Sequence, residues 1–132
     1  MPFGDPAGDF LSLISWRAPV NQPVSTGQLL TVQLGWHTGR QPIRGGYTFG
    51  VYALDAAQHV AAQTDSLLND GLLLTSSLLP NYTLPDTMTL NAPTTAGTYT
   101  LALVVYDTVT HARLQVPGAV NGLYILGTLT VQ

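Results

Sequence analysis

The sequence predicts an all-β protein, an antiparallel β-sandwich of seven to nine short strands. Three observations carry that expectation. Turn-forming residues recur roughly every eight to twelve positions along the 132 residues, the spacing of a sandwich or barrel. Between them apolar and polar residues alternate at period two, most clearly where Leu30, Val32, Leu34 and Trp36 interleave with Thr31, Gln33 and Gly35. No segment of useful length has helical period, and no internal repeat appears. A chain of this length is expected to form one domain over residues 1–132, with 1–9 as a flexible lead. It is also long enough to bury a core without a metal or disulfide.

The elements follow in order. Phe10–Arg17 reads as the first strand, closed by Ala18-Pro19 and Asn21-Gln22-Pro23. Leu30–Trp36 is the half-buried strand, and His37–Pro42 with Gly45-Gly46 forms the next loop. Tyr47–Asp55 and Gln58–Thr64 read as a hairpin about Ala56-Ala57. Asn69-Asp70-Gly71 is the strongest turn signal. Leu72–Leu79 fits either an extended crossing or a helical turn, and Pro80 ends it in both cases. Asp86–Ala92, Thr98–Asp107, a short His111–Val116 and Leu123–Val131 complete the set.

Thr98–Asp107 (TYTLALVVYD) is oily on both faces. By parity Tyr99, Leu101, Leu103 and Val105 point into the core, and Ala102, Val104 and Tyr106 point away from it. A strand with one wet face should alternate apolar with polar, and this one barely does. Two readings fit: an outer face shielded by neighbouring side chains and loops, or a contact face for another chain or domain.

Composition narrows the function classes. The chain has no lysine, glutamate or cysteine, and only 8% of its residues are charged, against about a quarter in typical soluble proteins. Four scattered arginines and a net charge of −3 make no basic stripe, which argues against nucleic acid and anionic lipid. The excess of Thr, Gln and Asn tilts the expectation toward an extracytoplasmic surface. No apolar run approaches the roughly eighteen residues of a membrane span. The opening Met1–Asp5 lacks the features of a signal peptide, so an extracytoplasmic domain would be a fragment or mature form of a longer protein.

Chemistry-bearing residues are sparse. His37, His59 and His111 have no metal-ligand spacing, so no metal or cofactor is expected. Asp65, Asn69 and Asp70 could offer oxygens to calcium, but no closing bidentate acid follows. No serine lies beside a histidine, and the seven aspartates fall mostly at turns, so no catalytic residues are expected. Asn81-Tyr82-Thr83 matches a glycosylation sequon, a weak signal alone. Trp16 and Trp36 read as core or core-edge residues. Tyr52, Tyr106 and Tyr124 lie opposite the core parity of their strands, so three phenol rings could form an outward platform. Cross-strand stabilisation, a protein interface and sugar stacking all use such rings.

Several segments carry a resemblance. Ala96-Gly97-Thr98-Tyr99-Thr100-Leu101 looks like the entry to an immunoglobulin-like strand, whose tyrosine can form a corner with nearby backbone. Ser25–Leu30 with Leu34-Gly35-Trp36, the pair Tyr47–Asp55 and Val60–Asp65, Gly97–Asp107 with Arg113-Leu114, and Ile125–Val131 add to it. Together, over about residues 25–131, these segments resemble the C-terminal β-sandwich domains of bacterial multi-spanning glycosyltransferase-like membrane proteins and related surface proteins. Tyr52 stands where that pattern usually has histidine, and Leu78 where it has tryptophan. The resemblance implies an immunoglobulin-like, extracytoplasmic accessory module, part of a larger membrane-anchored protein, with no established catalytic residues.

The expected role is therefore a non-catalytic module using a protein-contact face of Tyr52, Val104, Tyr106 and Tyr124. Its partner would be a second copy or another domain of the parent protein. The alternative is a carbohydrate-binding module on the same tyrosines.

Overall fold

A computed structural model describes residues 1–5, 8–69, 71 and 73–132. Among these, eight strands form two four-stranded antiparallel sheets packed face to face, the β-sandwich that the alternation predicts. The first sheet has the order β1 (Pro2–Gly4), β2 (Phe10–Arg17), β3 (Leu29–Thr38), β6 (Thr83–Asn91). The second has the order β5 (Val60–Ser66), β4 (Tyr47–Leu54), β7 (Gly97–Asp107), β8 (Tyr124–Val131). No described helix is long and apolar enough to cross a membrane.

The core lies between the sheets and is built from one parity of each strand. Leu30, Val32, Leu34 and Trp36 of β3 face Phe49, Val51 and Ala53 of β4 and the odd residues Leu101, Leu103 and Val105 of β7. Trp36 sits at its centre, edge-on to Phe3 at 5.3 Å and to Phe49 at 5.2 Å between ring centroids. Tyr99 donates its hydroxyl to the Thr95 carbonyl at 2.6 Å, so the expected corner forms. Trp16 pairs with Leu34 but lies at the margin of the core, 37% exposed.

The lead was expected to be flexible, yet Pro2–Gly4 is a strand and Phe3 is fully buried against Trp36. Asp9 explains the anchorage. Its carboxylate, itself buried, accepts the Arg44 amide at 2.9 Å, the Gly45 amide at 3.0 Å and the Tyr47 hydroxyl at 2.8 Å. Asp5 caps the Asp9 amide at 2.8 Å and also accepts from Tyr47 at 3.1 Å.

Other boundaries moved for local reasons. The Asp55 carboxylate accepts the amides of Ala57 and His59, and Gln58 takes positive φ, so β5 begins at Val60 rather than Gln58. In the ambiguous 72–79 stretch, of which residue 72 lies outside the described residues, Thr75–Ser77 forms a 3-10 turn. The buried Thr75 hydroxyl donates to the Gly45 carbonyl and accepts the Tyr47 amide, which stitches this loop to β4. The expected turn at 69–71 includes Asp70, which also lies outside the described residues. His111–Val116 forms bridges at Arg113 and Gln115 rather than a full strand.

Candidate functional site

The outer face of the β5-β4-β7-β8 sheet carries a cluster that begins with a missing side chain. Gly50 pairs with Val104 across β4 and β7. A Cβ at Gly50 would stand 2.8 Å from Asp65 Oδ1, 2.9 Å from Tyr52 Cε1 and 3.0 Å from Val104 Cγ1. Because Gly50 has none, the Tyr52 ring and the Asp65 carboxylate can approach the backbone closely beside Val104.

Three strands then converge on one carboxylate. Tyr52 of β4 donates its hydroxyl to Asp65 Oδ1 at 3.1 Å, and Tyr106 of β7 donates to the same oxygen at 3.0 Å. Gln63 of β5 donates its amide to Asp65 Oδ2 at 2.7 Å. Burial, then the neighbouring Asp65 charge and its hydrogen bond, push Tyr52 up to about 12. Burial and Asp65 likewise raise Tyr106. Both rings are therefore neutral phenols across the physiological range.

The loop after β7 supplies the far wall. Asp107 Oδ1 accepts the amides of Val109 and Thr110, each at 2.8 Å. These bonds hold the Asp107 carboxyl below the usual carboxylate range. They also turn the chain back, so Arg113 bridges to Tyr106 and the His111 ring stands edge-on to Tyr106 at 5.7 Å. Arg113 donates to the Asn121 carbonyl at 3.1 Å. Asn121 and Gly122 both take positive φ in a tight turn, and a Cβ on Gly122 would lie 2.6 Å from the Leu114 carbonyl oxygen. The result is an open cleft of about 200 Å³ lined by Tyr52, Gln63, Asp65, Tyr106, His111 and Arg113.

Of the four residues expected on the face, only Tyr52 and Tyr106 are there. Val104 does point outward, as parity requires, but it is fully buried beneath the cluster. Tyr124 faces the core: it pairs with the inward Leu103 and meets Phe3 edge-on at 6.2 Å. An irregularity in the β7–β8 register sets Leu101 opposite Gly127 and Ala102 opposite Ile125, which reverses parity along β8. Leu126 is therefore inward on one side of Gly127 and Leu129 on the other, while Ile125 takes the outward place.

Sequence reasoning missed Gln63, Asp65, His111 and Arg113 as cleft residues. The first two alternate on one face of β5. The last two follow Asp107 at the spacing of a capped return, a signal that was present. The other histidines lie elsewhere: His37 bonds Thr83 at 2.8 Å, and His59 sits 3.9 Å from Asp55. Among the described residues no group of three or more His, Cys, Asp or Glu converges as a metal site, and the calcium candidate Asp70 lies outside them.

No protein-family model and no curated protein sequence matches the chain. Solved structures do share its fold. A crystal structure of the C-terminal domain of Wzt superposes with a TM-score of 0.62 at 11% identity, over 100% of this chain and 77% of that one. The CARDB domain of the PF1109 protein from Pyrococcus furiosus, solved in complex with di-metal ions, gives 0.52 at 16% identity, over 99% and 96%. Identities this low speak to the β-sandwich alone.

Proposed function

We propose that this domain is a non-catalytic, extracytoplasmic accessory module that binds carbohydrate in the Tyr52–Asp65–Tyr106 cleft. The observation that carries the reading is the convergence of two phenols and one amide on a solvent-open carboxylate. Sugars present hydroxyls that donate and accept at once, together with C–H faces that pack on aromatic rings. The cleft offers the same mixture. Each phenol oxygen, once it donates to Asp65, keeps lone pairs for a sugar hydroxyl, and Asp65 has further acceptor capacity. Arg113 and Gln63 add polar groups at the rim, and the rings supply apolar edges.

The same geometry weakens a protein-contact face centred on Val104. Burial of Val104 and the inward turn of Tyr124 remove two of the four residues such a face would use. A hydrolytic role gains no support, because among the described residues Asp65 is the one carboxylate lining the cleft and glycoside hydrolysis uses two. The charge-poor, Thr- and Gln-rich composition supports the location.

A glycan array with the wild-type domain tests the reading, followed by Tyr52→Ala and Tyr106→Ala. Binding to a defined glycan class, lost in both variants while the fold survives, is expected. A blank array for the wild type would overturn it.

A further inference from the structure

The cleft is small beside ordinary ligand pockets, which fall at about 300–1,000 Å³, and it does not end where its polar residues end. Tyr52 and Arg113 are also part of the wall of an adjoining trough of about 570 Å³, itself within that range. The trough differs in chemistry. Leu54, Val60 and Ile125 line it from the sheet side, with Ala119, Val120 and Leu123 from the loop before β8. Three of these aliphatic residues stand in water: Val60 is 47% exposed, Ile125 52% and Val120 76%. Isolated exposed aliphatics are ordinary; three converging in one concavity beside a polar cleft are not.

The structure assigns to the cleft and trough together a single amphiphilic ligand, a saccharide carrying an apolar acyl or alkyl substituent. The inference rests on the carbohydrate reading of the cleft. Its sugar ring would meet Tyr52, Tyr106 and Asp65, and its chain would lie along Val60, Val120 and Ile125. Two features favour this occupant over a membrane surface or a charged peptide. The trough shares Tyr52 and Arg113 with the carboxylate cleft, so a ligand that reaches across them must change from polar to apolar along its length. Among the described residues Arg113 is the one arginine lining either concavity, and the chain is net acidic, so anionic lipid headgroups find little to hold them.

The test pairs methyl and hexyl glycosides of glucose, galactose, mannose and N-acetylglucosamine, with 1-hexanol as the sugar-free probe. Affinities are read by amide chemical-shift titration of the whole chain, below the concentrations at which hexyl glycosides form micelles. For at least one sugar the hexyl form should bind roughly tenfold or more tightly than the methyl form, as burial of several methylenes implies. Val120→Asp and Ile125→Thr should abolish that gain and leave the methyl glycoside's affinity unchanged. Both positions are exposed, and an unchanged melting temperature confirms folding. Equal methyl and hexyl affinities would overturn the amphiphile while leaving the carbohydrate reading intact. Hexanol binding as tightly as the hexyl glycoside would also overturn it. Failure of every glycoside, alongside a blank array, would overturn both.

Discussion

Two phenol–carboxylate clusters occur in this sandwich, and they do different work because they differ in burial. At the start of β4, Tyr47 donates to both Asp9 and Asp5, and the Asp9 carboxylate also takes two backbone amides. Asp9 and Tyr47 of that cluster are buried, and it joins the N-terminal segment to the loop before β4. On the outer face, Tyr52 and Tyr106 donate to Asp65, which is exposed. Removing a buried partner leaves desolvated groups unsatisfied, whereas an exposed one is replaced by water. The same chemical pairing thus serves as a clasp in one place and as an available surface in the other.

The largest effect should come from the clasp. Asp9→Asn keeps the shape but presents an NH2 group to one of two backbone amides, so donor faces donor. A loss of about 3 kcal/mol is expected from denaturant unfolding. Burial by itself would raise the Asp9 carboxyl, but the Arg44 amide, the Tyr47 hydroxyl and the Gly45 amide outweigh it and leave the group below its usual value. A carboxyl depressed in the folded state stabilises above its unfolded pKa of about 4 and loses that contribution as pH falls through the folded value. Wild type should therefore weaken more steeply than Asp9→Asn below about pH 4. Parallel acid profiles would refute the clasp.

Next is Tyr47→Phe, expected to cost about 1–2 kcal/mol at neutral pH. Burial, followed by the Asp9 and Asp5 carboxylates, drives the Tyr47 hydroxyl far above the ordinary phenol range. Its stabilisation is complete below an unfolded pKa of about 10 and declines as pH rises beyond it. The substitution should flatten the alkaline limb of the stability profile. An alkaline limb identical to wild type would show that Tyr47 is not its source.

A smaller stability change with a larger functional one is expected at Gly50. Gly50→Ala would press a methyl group on Asp65, Tyr52 and Val104, and the exposed Asp65 carboxylate and the half-buried Tyr52 ring would have to shift outward. Unfolding free energy should fall by about 1 kcal/mol, while glycan binding falls at least as far as in Tyr52→Ala. Full binding in Gly50→Ala would separate recognition from the close approach of the ring to Gly50.

The contrast between the clusters also explains what could be read from residues alone. Strand positions and the inward parity of β7 were legible because period-two alternation is a local signal, and the shielding of Val104 was one of two readings it left open. The Tyr124 assignment failed because one irregularity beside Gly127 reverses parity; an isolated glycine in a strand is the one local sign of such a bulge, and simple alternation passes over it. The anchorage of the N-terminal segment was not legible, because the bonds that hold Asp5 and Asp9 are long-range. Their partners, Arg44, Gly45 and Tyr47, are more than thirty residues away. Asp65, likewise, joins Tyr52 and Tyr106 only through strand register.

The smallest effect tests the open cluster directly. Asp65→Asn removes a charge from a site where water can replace it, so stability should change by no more than about 0.5 kcal/mol. The phenols should respond far more. Tyr52 lies at about 12 because burial, the Asp65 charge and the Asp65 hydrogen bond all favour its neutral form. An asparagine removes the charge and keeps one acceptor, so the Tyr52 transition should move down toward the ordinary value near 10. Phenolate absorbance during an alkaline titration reads this, with Tyr52→Phe identifying the transition. Tyr47, held by the clasp, should not move. If Asp65→Asn leaves the Tyr52 transition in place, burial alone raises that phenol, and the carboxylate is not the centre on which the cleft is organised.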